Sequence, residues 1–238
     1  MEELTKTLKA LEDKIGVDFA DKNLLINAFV HRSYLNENRG FELPSNERLE
    51  YLGDACLELV VSEYLFKTYP KQPEGILTSY RGSLVNTDSL AESARIVDLG
   101  AYLLLSRGEE DGGGRDSNYL LANTFEAVIG ALYLDQGYEE AKKFIHAYVT
   151  PKLVNIIENE QYKDPKSKLQ ELTQEVFSIT PQYKVVNEEG PDHNKSFEVE
   201  VSLGSKTIGA GRGSSKQKAE LDSAQNALDN WDDITDAN

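Results

Sequence analysis

The sequence predicts an all-α domain followed by a small α+β domain of order helix, three strands, helix. Three observations predict it. Up to about residue 158, apolar residues recur at helical spacing, and the breaks fall at proline, glycine and short polar runs. From Asp164 the pattern changes to one helical stretch, three alternating segments and a second helical stretch. Between the two, residues 159–163 are short and polar, as a linker is.

In the first domain, 1–158, the spacing predicts helices over about 2–15, 23–31, 45–69, 75–97, 118–136 and 138–158. Pro44-Ser45-Asn46 reads as a helix start with Asn46 as the cap. Tyr69-Pro70-Lys71-Gln72-Pro73 ends the long helix, because proline brings no amide proton. Gly108 to Ser117, with Gly112-Gly113-Gly114, reads as a flexible loop. No strand precedes it and no Gly-Lys-Ser/Thr follows, so it is not a nucleotide-phosphate cradle. In the second domain, 164–232, the first helix runs to about Phe177 and the last from Ser214 to Trp231, both on one face of the sheet. Phe197-Glu198-Val199-Glu200-Val201 alternates as a half-buried strand does. Tyr183, Val185, Phe197, Val199, Val201, Ala219 and Ala224 are the expected core, and 233–238 reads as an acidic tail.

A chain of 238 residues can build two modest cores, and 39% hydrophobic with 28% charged residues describes a soluble globular protein. One cysteine, Cys56, excludes an intramolecular disulfide and suits a reducing cytoplasm; its expected place is the core. Met1-Glu2-Glu3 lacks the basic start of a signal peptide, and no apolar stretch is long enough to cross a bilayer. The expectation is a cytoplasmic protein with no membrane partner. A net charge of −16 argues against nucleic acid, which attracts basic surfaces, unless the acidic excess is segregated from the binding face.

The chemistry concentrates in Asn46-Glu47-Arg48-Leu49-Glu50-Tyr51-Leu52-Gly53-Asp54-Ala55. On a helix, Glu47, Glu50 and Asp54 share one face, while Leu49, Leu52, Leu57 and Val60 can bury on others. Like charges at that spacing repel. A hard cation relieves the repulsion, since Mg²⁺ takes one or two carboxylates and completes its shell with water and phosphate oxygens. A solvated acidic face shows the same spacing and is the commoner explanation on spacing alone. Asn123 and Glu126 stand one turn apart on a second helix whose other faces carry Phe125, Val128, Ile129 and Leu132. Two acidic helices side by side make a metal site in a helical bundle. Arg48, between two acids, reads as their ion-pair partner.

The string at 46–55 closely resembles the signature of the bacterial ribonuclease III family. Phe29-Val30-His31-Arg32-Ser33-Tyr34 resembles that family's His-x-Ser-Tyr segment, and Leu121 to Ala131 its second metal-site helix. The part after Asp164 resembles a double-stranded RNA-binding domain. The resemblance implies a homodimeric endonuclease domain that hydrolyses both strands of duplex RNA, in rRNA and mRNA processing. Its products would carry 5′-phosphates and short 3′ overhangs. It implies Mg²⁺ as cofactor, with Mn²⁺ as a substitute, held by Glu50, Asp54, Asn123 and Glu126. Asp54 and Glu126 would be catalytic, Glu47 supporting, and Tyr51 at the dimer interface, although an ordinary core aromatic fits Tyr51 equally well. His31 reads as a structural or polar contact rather than a general base.

In the second domain the resemblance implies RNA contacts from Gln170 and Glu171, from His193 in the loop Gly190-Pro191-Asp192-His193, and from Lys216 and Lys218. Two departures stand out. The family commonly has Asp where Asn123 stands, and an amide ligates without charge. The alternative is then a non-catalytic double-stranded RNA-binding protein with a silenced nuclease site. Gln217 also interrupts the usual lysine pair, and Lys218 points about 200° away from Lys216 on a helix.

Overall fold

The computed structural model describes residues 2–191 and 195–236, the side chains of 2–5 and 236 excepted. The chain forms two compact units, Met1–Tyr162 and Lys163–Asn238. The first contains α1 (Glu2–Ile15), α2 (Lys22–Ala28), α3 (Arg32–Glu37), α4 (Glu47–Thr68), α5 (Glu74–Val85), α6 (Thr87–Ile96), α7 (Arg107–Asp111), α8 (Asn118–Gln136), α9 (Tyr138–Tyr148) and α10 (Leu153–Glu158). Helix α8 is apolar nearly all round because α2, α4, α6 and α9 pack about it. Leu49, Cys56, Leu57 and Val60 of α4 are buried in the same core, and Leu52 is half-buried.

Helices α4 and α8 touch backbone to backbone. A Cβ on Gly53 would stand 1.8 Å from the carbonyl oxygen of Glu126, and a Cβ on Gly130 would stand 2.2 Å from that of Leu49. Only glycine at both positions permits this approach. It sets Glu50 and Asp54 opposite Asn123 and Glu126.

Several expected elements are divided. The stretch 75–97 breaks at Asn86, whose extended backbone and side chain start α6 by accepting from Ser89 N at 2.9 Å. The stretch 138–158 breaks at a 3₁₀ turn, Thr150–Lys152, that holds Pro151. The stretch 23–31 ends at Ala28, and His31 starts the unexpected α3. The glycine-rich stretch expected to be a flexible loop holds α7 and a 3₁₀ turn, Gly114–Asp116. Arg115 pins it, donating to the carbonyls of Gly100, Ala101 and Leu103 at 2.9, 3.3 and 3.0 Å. Asn46 does not cap α4 with its side chain; it is buried and donates from Nδ2 to the Ala28 carbonyl at 3.1 Å.

The second unit contains α11 (Pro165–Phe177), β1 (Gln182–Glu189), β2 (Ser196–Leu203), β3 (Lys206–Gly213), α12 (Lys216–Asp229) and α13 (Trp231–Asp236). The strands pair antiparallel in the order β1-β2-β3. Leu169 of α11 and Ala224 and Ala227 of α12 meet Val201, Leu203 and Ile208 in one core, so both helices cover one face. Gly209, Gly211 and Gly213 alternate along β3 so that α12 can lie directly on it; a Cβ on Gly211 would be 2.1 Å from Ser223 N. Val199, Val201, Ala219 and Ala224 are buried, while Tyr183, Val185 and Phe197 are half-buried. The expected acidic tail from 233 is instead largely helical, because Ile234 joins the core and Trp231 packs edge-on against Phe177. Among the described residues no helix is long and apolar enough to cross a membrane.

Candidate active site

The α4–α8 crossing opens into a cavity of about 350 Å³. Glu47, Glu50, Tyr51 and Asp54 line it from α4, and Tyr119, Asn123, Thr124 and Glu126 from α8. His31 and Arg32 complete the wall at the start of α3. All six site residues expected in this domain therefore face one space.

The electrostatics of that space are uncompensated. Among the described residues, the side chains of Glu50, Asp54, Asn123 and Glu126 have no hydrogen-bond or ion-pair partner. Burial raises the Glu126 carboxyl to about 8, and Asp54, Glu50 and Glu58 push it the same way. Burial, then Glu47 and Asp54, also raise Glu50. Arg48 does not tie the acids together as expected; it is exposed and points away. Arg32 takes that part at 3.8 Å from Glu47, which also accepts from Ser45 Oγ at 3.0 Å. Tyr51 is 80% exposed in the single chain, so it is not a core aromatic.

Among the described residues no three His, Cys, Asp or Glu side chains stand close enough to grip a metal ion as they are. The donor chemistry nevertheless suits a hard cation. Three carboxylates and an amide oxygen converge without a positive partner, and such a cation binds one or two carboxylates while keeping its waters.

In the second unit Gln170 and Glu171 lie exposed on α11. Ser215 caps α12 by accepting from Lys218 N at 3.2 Å. Lys216 and Lys218 are exposed in its first turn, and the Lys216 ammonium lies 5.8 Å from the centroid of the Phe197 ring. His193 lies outside the described residues.

A family model described as Ribonuclease-III-like matches residues 21–153, and one described as Double-stranded RNA binding motif matches 165–230. The chain is 46% identical over 226 residues to a Ribonuclease 3 of Streptococcus gordonii, covering 95% of this chain and 97% of that one. The chain belongs to the ribonuclease III family. It is an endoribonuclease with a double-stranded RNA-binding domain. A Ribonuclease 3 of Enterococcus faecalis is also 46% identical, over 92% of this chain and 94% of that protein. The nuclease domain of ribonuclease III from Campylobacter jejuni, solved in work on the flexibility of a region involved in its dimer formation, superposes with a TM-score of 0.56 at 41% identity. The match covers 60% of this chain and 96% of that one.

Sequence reasoning missed Arg32, Tyr119 and Thr124 as residues of a ribonuclease III cavity, and left His31 without a place in it. For His31 and Arg32 the signal was present in the His-x-Ser-Tyr match. Tyr119 carries no pattern of its own.

Proposed function

We propose that the chain cuts both strands of duplex RNA as a homodimer, using a hard divalent cation, Mg²⁺ or Mn²⁺, and leaving 5′-phosphates with short 3′ overhangs. The observation that carries this reading is the set of unpartnered oxygens at the glycine crossing. Glu50, Asp54 and Glu126 would hold the cation with the Asn123 amide, and Asp54 and Glu126 are the catalytic pair. When bound, the cation would draw charge from the phosphodiester and ready a water for attack. Burial and the neighbouring carboxylates push the Glu126 carboxyl up to about 8 in the metal-free protein, so a cation and a proton would compete for it. Glu47 supports the site by holding Arg32 at the rim, where a guanidinium meets the phosphate backbone.

The dimer is supported by Tyr51, Leu59 and Phe66, which lie exposed along one side of α4. Two copies bring two cavities, one for each strand. Gln170, Glu171, His193, Lys216 and Lys218 would hold the duplex by shape and phosphate rather than by base sequence. Processing of rRNA and mRNA in the cytoplasm belongs to the same reading.

The purified chain is incubated with duplex RNA with and without Mg²⁺, and its mass is measured by sedimentation. Cleavage only with the metal, 5′-phosphate ends and a dimer at micromolar concentration are expected. No cleavage at any Mg²⁺ or Mn²⁺ concentration would overturn the catalytic part; a monomer would overturn the assembly.

A further inference from the structure

His31 lines the cavity without a part in the reaction described above. Its Nδ1 accepts from Ser33 N–H at 3.3 Å and lies 2.7 Å from Ser33 Oγ. Ser33 Oγ accepts from Ser106 N–H at 3.1 Å, which leaves its own proton free to point at Nδ1. A nitrogen that receives a backbone N–H carries no proton, so the proton of the neutral ring sits on Nε2. The backbone beneath the ring is fixed on both sides. His31 N donates to Leu104 O at 3.1 Å, and Asn46 N donates to Val30 O at 2.8 Å. Nε2 has no protein partner among the described residues, yet it is not among the buried unpartnered atoms, so it reaches the cavity's solvent. Burial pushes the ring below the ordinary histidine range, against the pull of Glu109 and Glu47 and with the help of Arg32.

We propose that His31 is a substrate-binding residue whose Nε2–H donates to an oxygen of the RNA ribose-phosphate backbone in this cavity, with Ser33 and Ser106 fixing the tautomer that makes it a donor. The inference rests on the reading of this cavity as the place where RNA is cut. A neutral donor has a specific advantage here. A lysine or arginine at this position would add a cation able to compete for the carboxylates, whereas an imidazole N–H can hold a phosphate oxygen without adding charge.

The competing explanation is that His31 only caps α3. His31→Asn separates the two, because asparagine caps a helix well and keeps an acceptor for Ser33 N but places nothing at Nε2. The expected result is an unchanged Tm, with kcat/KM on duplex RNA lower by about tenfold or more, as for a lost bond to a charged group. His31→Gln, which sets an amide N–H near the Nε2 position, is expected to recover part of the loss. An Asn variant with wild-type kcat and KM overturns the proposal. A second measurement needs no variant activity. Long-range ¹⁵N–¹H correlation on the full-length protein is expected to show the Nε2–H tautomer for His31, and an Nδ1–H tautomer overturns the proposal. A wild-type protein that does not cut duplex RNA overturns the reading of the cavity and this inference with it. A wild-type protein that cuts no better than His31→Asn overturns this inference alone.

Discussion

Helix α4 carries carboxylates at both ends, and the two ends treat them oppositely. Near its C-terminus Glu63 accepts from Lys142 at 2.6 Å, from Lys67, and from Tyr138 Oη at 2.9 Å. These donors hold its carboxyl down to about 2. Near its N-terminus Glu50 and Asp54 face Glu126 with no cationic partner, and Glu126 rises to about 8. One helix thus shows a settled carboxylate and an unsettled group. The difference teaches where the protein withholds neutralisation: under the proposed function, the missing positive charge is what would leave a place for a cation and a phosphate. The second unit repeats the contrast with basic residues. Lys166 is paired with Glu220 at 2.6 Å, whereas Lys216 makes no ion pair among the described residues.

The strongest way to break the comparison is Glu126→Gln. Cleavage should fall by more than about 100-fold, beyond what loss of a residue merely supporting a metal ligand costs, while duplex binding persists. Its stability should move the other way. A carboxyl raised above its unfolded value of 4.5 destabilises the fold progressively as pH rises from there through about 8. The metal-free variant should therefore melt higher than the parent at pH 8, by roughly 3–6 °C, with no gain near pH 4.5. A variant that melts lower at pH 8 would show that Glu126 is a settled group after all.

Lys216→Ala tests the unpaired cation. Binding should weaken alike for all duplex sequences, with the salt slope reduced by about one; weakening confined to particular sequences would mean that Lys216 touches bases.

Asn123→Asp sharpens the acidic end by adding a fourth carboxylate. The half-maximal Mg²⁺ for cleavage should fall several-fold, with the gain vanishing at saturating metal, and the metal-free Tm should drop slightly through repulsion with Glu126 one turn away. An unchanged or higher Mg²⁺ requirement would remove Asn123 from the site.

Glu63→Gln is the control and the smallest effect. Cleavage should not change. The Tm should fall by roughly one or two degrees at pH 7. That difference should close as pH drops from 4.5 toward 2, because a lowered carboxyl stabilises only while ionised.

Much of this contrast was readable in the sequence because it is local. Glu47, Glu50 and Asp54 share a helix face by spacing alone, and so do Asn123 and Glu126. What joins the two sets was invisible, since Gly53 meets Glu126 across more than seventy residues of chain. The same limit explains the errors. Arg48 sits between two acids in sequence but on another face of α4 in space, while Arg32 arrives from a helix that no periodicity announced. Arg115 likewise fixes a glycine-rich stretch through carbonyls at least a dozen residues away, which composition cannot show.

The glycine crossing has one more effect. Two helices separated by side chains change their spacing whenever a packed residue changes size. At Gly53 and Gly130 the separation is set by contact between main chains, which every sequence possesses. The hydrophobic residues around the crossing can therefore drift and alter how firmly the domain holds together without altering the gap across which its acids face each other. The gap has a hard stop. Under the proposed function, chemistry would be retuned there only by changing which side chains reach into it, as an Asp in place of Asn123 would.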